Sequence, residues 1–260
     1  MSEEKRIKRR IEKELRRNTG LDFAVFCFDL IDSTNTEARR YALSGGSAPA
    51  VFIAREQSAG RGRMGRSFYS PSATGLYLSV LLDIQPDDAV RLTTSAAVAA
   101  RRAVLRTTNT DLKIKWVNDL YLLDKKVAGI LAEAIVVDDH PLTVLGVGIN
   151  LCTDFGSTEL EGIADSLGVS EDIRIPLATS FIRELCSVLF RETPTDIIAE
   201  YKENSYVIGK PIVFTENGIS FCGQAVDITE QGHLCVLLED GQEKILSSGE
   251  ISLRILNGEN

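Results

Sequence analysis

Residues 60–66, GRGRMGR, stand between two segments that both read as strands, and this placement restricts the fold more than any other feature. The spelling satisfies G-x-G-x-x-G, the pattern of a dinucleotide-binding turn. That pattern works only where its third glycine opens a helix whose N-terminus receives a pyrophosphate. Here residues 67–75, SFYSPSATG, follow instead, with Pro71 and Gly75, and then an apolar strand at 76–82. No helix follows the loop, so the dinucleotide reading fails. A phosphate-binding G-x-x-x-x-G-K-[ST] is also missing from the sequence. What remains is a glycine loop carrying Arg61, Arg63 and Arg66. Glycine lets a backbone approach a ligand closely, and arginine brings permanent charge and forked donors for phosphate or carboxylate. Two readings are open: an anion-binding loop, or a solvated basic turn.

The rest of the chain is read around this loop. Residues 25–31 form a strand entering a turn, and Thr34 with Glu37 fits a capping box for a helix stopped at Gly45-Gly46. Residues 87–106 read as an Ala-rich helix. Segments 112–116, 121–123, 127–137 and 143–151 read as strands, with Asp124-Lys125-Lys126 as the turn before the longer runs. Pro176 and Pro194 suit the first turns of two later helices. From about Gly209 the pattern changes to short strands, with Asn217-Gly218 as a hairpin signal and further turns at 229–232 and 240–241. Before all this, residues 1–20 hold eight basic and four acidic residues, with Ile7, Ile11 and Leu15 spaced as one face of a short helix.

Charge and cysteine content narrow the function classes. The formal net charge is -8, although the first twenty residues are basic, so the body is not built for nucleic acid. No apolar run is long enough to span a bilayer, and the charged N-terminus does not read as a secretory signal. The five cysteines form no C-x-x-C pair and are expected as reduced, packed thiols in a cytoplasmic protein. The two histidines, His140 and His233, sit near no paired cysteines, which argues against zinc, and they offer no obvious general base.

Five blocks in order decide between the loop's two readings: Asp32-Ser33-Thr34-Asn35, residues 57–66 (QSAGRGRMGR), 115–120 (KWVNDL), 126–131 (KVAGIL) and 146–151 (GVGINL). Together they resemble biotin protein ligase, over residues 24 to about 255. The resemblance implies an α+β fold: a mixed, largely antiparallel sheet with flanking helices, similar to a class II synthetase, plus a small SH3-like β-barrel. The expected divisions are a basic helix at 1–20, a catalytic domain at 21–205 and the small domain at 206–260.

The implied reaction activates biotin with ATP and Mg²⁺ as biotinyl-5'-AMP, then passes it to a lysine of a biotin carboxyl carrier domain. Neither step needs an enzyme nucleophile; alignment, charge neutralisation and exclusion of water suffice. By resemblance, the biotin site comprises Ser33, Thr34, Asn35, Gln57, Gly60, Arg61, Gly62, Arg63, Lys126, Gly129 and Gly148. The ATP or adenylate site comprises Arg63, Arg66, Trp116, Asn118, Asp119, Lys126 and Asn150. Lys126 and Arg63 carry the catalytic roles, and Asp119 is the candidate Mg²⁺ ligand. Structural readings stand beside these: Ser33 to Asn35 as a helix cap, Lys126 as a turn lysine, Asp119 as a turn residue, Trp116 as core filler. Val117 replaces the family's usual proline, which is expected to loosen the turn presenting Asn118 and Asp119. Phe68 replaces a tryptophan. The arginine loop is expected to be mobile without an anion.

Some members carry an N-terminal DNA-binding repressor domain; the short basic helix here implies a ligase without that function. Alternatives are a lipoate or octanoate ligase of the same fold, or a non-catalytic biotin-binding regulator. No nucleic-acid or membrane partner is expected, and monomer and homodimer both stay open.

Overall fold

The computed structural model describes residues 3–84, 89–216, 219–247 and 254–255. Its centre is a seven-stranded sheet in the order β1-β2-β3-β7-β6-β5-β4. β1 (Ala24–Ile31) and β2 (Ala50–Gln57) are parallel, joined by α2 (Thr34–Leu43) as a crossover. The other neighbours, β3 (Gly75–Leu82), β7 (His140–Asn150), β6 (Lys125–Val137), β5 (Asp119–Leu122) and β4 (Lys113–Lys115), pair antiparallel. Every residue of β3 is buried, because it lies mid-sheet with helices on both faces.

One face is covered by α1 (Glu3–Thr19), α3 (Ala89–Thr108) and α4 (Arg174–Phe190), which close the large core. Ile11 and Leu15 of α1 are fully buried there, so the helix lies on the body by the face its spacing foretold. α2 covers the other face, through Ala38 and Ala42 against Phe52 and Leu81. α5 (Pro194–Glu203) begins with its proline at the first helical position, as expected. Arg102 of α3 ties this region together, donating to Glu192 and Glu200.

A second, five-stranded antiparallel sheet follows, ordered β11-β10-β9-β8-β12. Its strands are β8 (Pro211–Glu216), β9 (Ile219–Ile228), β10 (Leu234–Leu238), β11 (Glu243–Leu246) and β12 (Arg254–Ile255). This is the strand content expected of the small domain. The Asn217-Gly218 turn lies outside the described residues, but its flanking strands pair from Glu216–Ile219 outward. Among the described residues no helix is long and apolar enough to cross a membrane.

Three local expectations change. α2 begins at Thr34 with Ser33 as its N-cap, and no side chain caps it, so there is no Thr34–Glu37 box. The turn before β6 is Leu123-Asp124, with Leu123 at φ 55°; Lys125 and Lys126 are already strand residues. The cysteines form no disulfide, yet Cys152 and Cys222 are exposed rather than packed.

Candidate active site

The pocket forms where the ends of β1 and β2, the start of α2, the arginine loop and the middle of β6 and β7 meet. It is a half-open cleft with a cavity volume of about 50 Å³. Each wall follows from local chemistry.

The polar end is built on Gln57, the last residue of β2. Its Oε1 accepts from the Thr34 backbone N–H at 2.8 Å and from the Thr34 hydroxyl at 3.1 Å. Its Nε2 donates to Ser70 Oγ at 2.9 Å. The Thr34 hydroxyl thus donates to Gln57, and it caps nothing because Thr34 is already the first helical residue, with Ser33 at the N-cap position. Below it, the buried Ser79 hydroxyl lies 2.7 Å from Thr34 Oγ1 and 2.6 Å from Asn35 Oδ1, one proton serving two acceptors. Asn35 Nδ2 donates to Glu133 Oε2 at 2.9 Å. Asn35 lines the pocket with both ends of its amide engaged, and Ser33 beside it faces the same space.

The floor is made of glycines. Gly129 on β6 faces Gly148 on β7 across the ladder, and Gly146 lies two residues from Gly148 on the same face. A Cβ on Gly148 would lie 2.4 Å from the Phe68 ring, and one on Gly146 would lie 2.1 Å from Asn35 Oδ1. The strands are bare here so that Phe68 and Asn35 can lie flat upon them. Gly146 escaped the sequence reading, although its i, i+2 relation to Gly148 was a usable signal. Ser79, Phe68, Leu78, Ile130, Leu131 and Val147 also belong to the pocket or its support.

The loop supplies the cations. Arg61 Nη2 donates to Glu133 Oε1 at 2.8 Å. Arg63 Nη1 donates to Asn118 Oδ1 at 3.2 Å, and burial pulls the Arg63 pKa below its usual value, with Asp119 opposing. Met64 takes φ 56° and Gly65 φ 74°, which reverses the chain in a single turn. Two of the three arginines thus have protein partners, Glu133 and Asn118. Opposite them, Lys126 Nζ lies 2.7 Å from Asp119 Oδ1 as an ion pair. Its angle is not that of a hydrogen bond, and this buried oxygen accepts none. Lys115, which the sequence reading passed over, is half-buried behind Asp119; desolvation lowers its pKa and Asp119 opposes the shift. Its ammonium donates to Tyr121 Oη at 3.0 Å.

Several expected site residues stand off the pocket wall. Gly60 holds the loop's neck: a Cβ there would lie 2.4 Å from the Phe68 carbonyl oxygen, so the glycine permits the hairpin and does not face the pocket. Arg66 is exposed at the loop's far end. Asp119 sits behind Lys126. Asn150 is buried and donates to the Asp165 carbonyl at 3.0 Å, bracing the following segment. Trp116 is a core residue whose indole N–H donates to the Gly232 carbonyl at 2.7 Å, and it stands off the pocket wall. Nor does Val117 loosen its turn. It is buried, the Tyr201 hydroxyl donates to its carbonyl, and Asn118 is locked by two hydrogen bonds with Ile130. Ser33, Thr34, Asn35, Gln57, Arg61, Gly62, Arg63, Asn118, Lys126, Gly129 and Gly148 do converge on the pocket.

This geometry has known counterparts. Residues 27–150 match the Biotin/lipoate A/B protein ligase family, and residues 207–254 match the biotin protein ligase C terminal domain. The bifunctional ligase/repressor BirA of Escherichia coli (strain K12) is 33% identical over 243 residues, which cover 89% of this chain and 74% of that protein. The chain belongs to the biotin protein ligase family. The biotin--[acetyl-CoA-carboxylase] ligase of Mycobacterium tuberculosis is 32% identical over 84% of this chain and 85% of its own length. Among solved structures, a biotin protein ligase from Aquifex aeolicus in complex with biotin and ATP matches with a TM-score of 0.76. It is 26% identical and covers 89% of this chain and 99% of its own. For this family member the mixed sheet, flanking helices and small C-terminal sheet are therefore the family's fold.

Proposed function

We propose that this chain is an ATP-dependent biotin ligase. It activates biotin as biotinyl-5'-AMP and transfers the biotinyl group to a lysine of a biotin carboxyl carrier domain. The observation that carries the reading is the convergence of Arg61, Arg63 and Lys126 on a glycine-floored pocket with a polar end at Thr34 and Gln57. A flat, neutral ureido ring suits the polar end, and the two anions of the reaction suit the cations. The match to the C-terminal domain of biotin protein ligases favours biotin over lipoate.

In the first step a carboxylate oxygen attacks the α-phosphorus and pyrophosphate leaves with the bonding electrons. Negative charge accumulates at phosphorus as two anions meet. Lys126 stands on a rigid strand at the pocket edge, where its charge offsets that build-up. Arg63, docked on Asn118, holds the loop over the mixed anhydride and keeps water from it. In the second step a neutral lysine amine attacks the acyl carbon, the bond to AMP breaks, and the amine loses a proton. Positioning and charge neutralisation carry both steps, so the chain needs no nucleophile.

The one carboxylate expected to hold magnesium, Asp119, does not fit it here, because its buried Oδ1 lies behind Lys126 and pairs with that ammonium; the ion would be held by phosphates and water. We assign the chemistry to residues 21–205, with residues 206–260 as the small appended domain and the protein in the cytoplasm. The test is pyrophosphate release with ATP and Mg²⁺ in the presence of biotin, lipoate or no acid. Release with biotin alone supports the reading. Release with lipoate alone would make the chain a lipoate ligase, and binding of biotin without release would make it a regulator.

A further inference from the structure

Glu133 is absent from the pocket wall, yet its two carboxylate oxygens hold two residues that form it. Oε1 accepts from Arg61 Nη2 at 2.8 Å, and Oε2 accepts from Asn35 Nδ2 at 2.9 Å. One side chain on β6 thereby joins the start of α2 to the arginine loop. Little else docks that loop. Arg61, Met64 and Arg66 are exposed, so apolar burial contributes little between residues 61 and 66. Its attachments are Arg61 on Glu133, Arg63 on Asn118, and the short pairing of Arg61 with Ser67.

Asn35 is held just as fully. Glu133 takes its amide N–H, Ser79 donates to its oxygen, and Gly146 leaves room for its plane. A carboxylate accepts and cannot donate, so it fixes which end of the amide turns toward it. Charge-assisted bonds of this kind are roughly twice as strong as neutral ones.

We propose that Glu133 is a positioning residue of the biotin site. It presets the Arg61 guanidinium and the Asn35 amide before ligand arrives, so that binding does not have to order them. The inference rests on the ligase reading for the identity of the ligand. It concerns the biotin half of the site; the nucleotide half, with Lys126 and Asn118, is anchored separately.

The test is direct titration of the full chain with biotin and with ATP, using Glu133→Gln and Glu133→Ala. Glutamine keeps an acceptor for Asn35 but removes the charge that holds Arg61. Losing one charge-assisted bond predicts a biotin Kd about tenfold weaker for Glu133→Gln and weaker still for Glu133→Ala, with the ATP Kd within about twofold. In an Arg61→Gln background, the glutamine substitution should add less than about twofold, because its target is gone. A wild-type biotin Kd in both variants overturns the proposal. So does a Kd for ATP that weakens in parallel, or an effect that multiplies fully with Arg61→Gln, since either marks a general structural role. Pyrophosphate release by the wild-type chain separates the two claims. Biotin binding without release sinks the ligase reading while the Kd series still judges Glu133, and no biotin binding at all overturns both.

Discussion

At the scale of single residues, the site is a balance of few charges in a small space. Lys126 has one carboxylate beside it, Asp119, on the neighbouring strand. In the proposed reaction the Lys126 charge is aimed at charge that develops only in the transition state, as an oxyanion-hole donor's is, so Lys126→Ala should slow adenylate formation by about 10²–10³-fold. Single-turnover pyrophosphate release checks this; an unchanged rate would reduce Lys126 to a partner for Asp119. The residue types here were legible because five short motifs carry them. Their partners were not. Glu133 lies 72 positions from Arg61, and Ser79 lies 44 from Asn35, so nothing local announces either contact. The Thr34 capping box misled because the helix begins one residue earlier than a Thr34 cap requires, with Thr34 itself helical and its hydroxyl turned to Gln57, 23 positions away.

At the scale of elements, the loop and the helices that brace the sheet make separate predictions. The loop is docked by Arg63 on Asn118, and under the proposed function this contact holds it over the intermediate, so Arg63→Ala should leave the fold intact and release the intermediate faster. Retention of labelled adenylate through gel filtration reads this, and wild-type retention would deny the loop its role. Away from the site, α3 is fastened by Arg102 to Glu192 and Glu200. The hydrogen bond from Arg102 lowers the Glu192 pKa below its ordinary 4.5. A lowered carboxyl pKa means stability that is present above pH 4.5 and lost as pH falls through the depressed value. Glu192→Gln should therefore cost stability at neutral pH and flatten the acid limb of a stability–pH curve; an acid limb identical to wild type would contradict the linkage. Helix positions were readable from periodicity and proline. The turn at Leu123 was not, because an apolar residue with positive φ leaves no glycine or asparagine to mark it.

At the scale of the whole molecule, the second sheet shares the large apolar core with the body, and among the described residues a buried hydrogen bond and the Lys202–Asp227 ion pair also join them. Trp116 precedes the turn that presents Asn118 and Asp119, and its indole N–H reaches the Gly232 carbonyl of the C-terminal sheet. Trp116→Phe keeps an aromatic ring but removes the indole N–H, leaving that carbonyl unpaired, and should cost about 1–3 kcal/mol for the lost bond. Hydrogen exchange should show the loss on both sides, at residues 117–119 and around Gly232; protection lost on one side only would mean the sheets are not coupled there. The fold class was legible through the five ordered motifs and the family resemblance they carry; the loop's place between two strands excluded only the dinucleotide-binding turn. How the small sheet meets the large one did not follow, because a contact across 116 positions has no signature in either segment.

The measurement that tests the central claim most directly is the mass of the product held by the chain after one turnover with biotin, ATP and Mg²⁺ and no acceptor protein. The account predicts biotinyl-5'-AMP, with pyrophosphate released in equal amount. Recovery of unreacted biotin and ATP from a chain that binds both would contradict it.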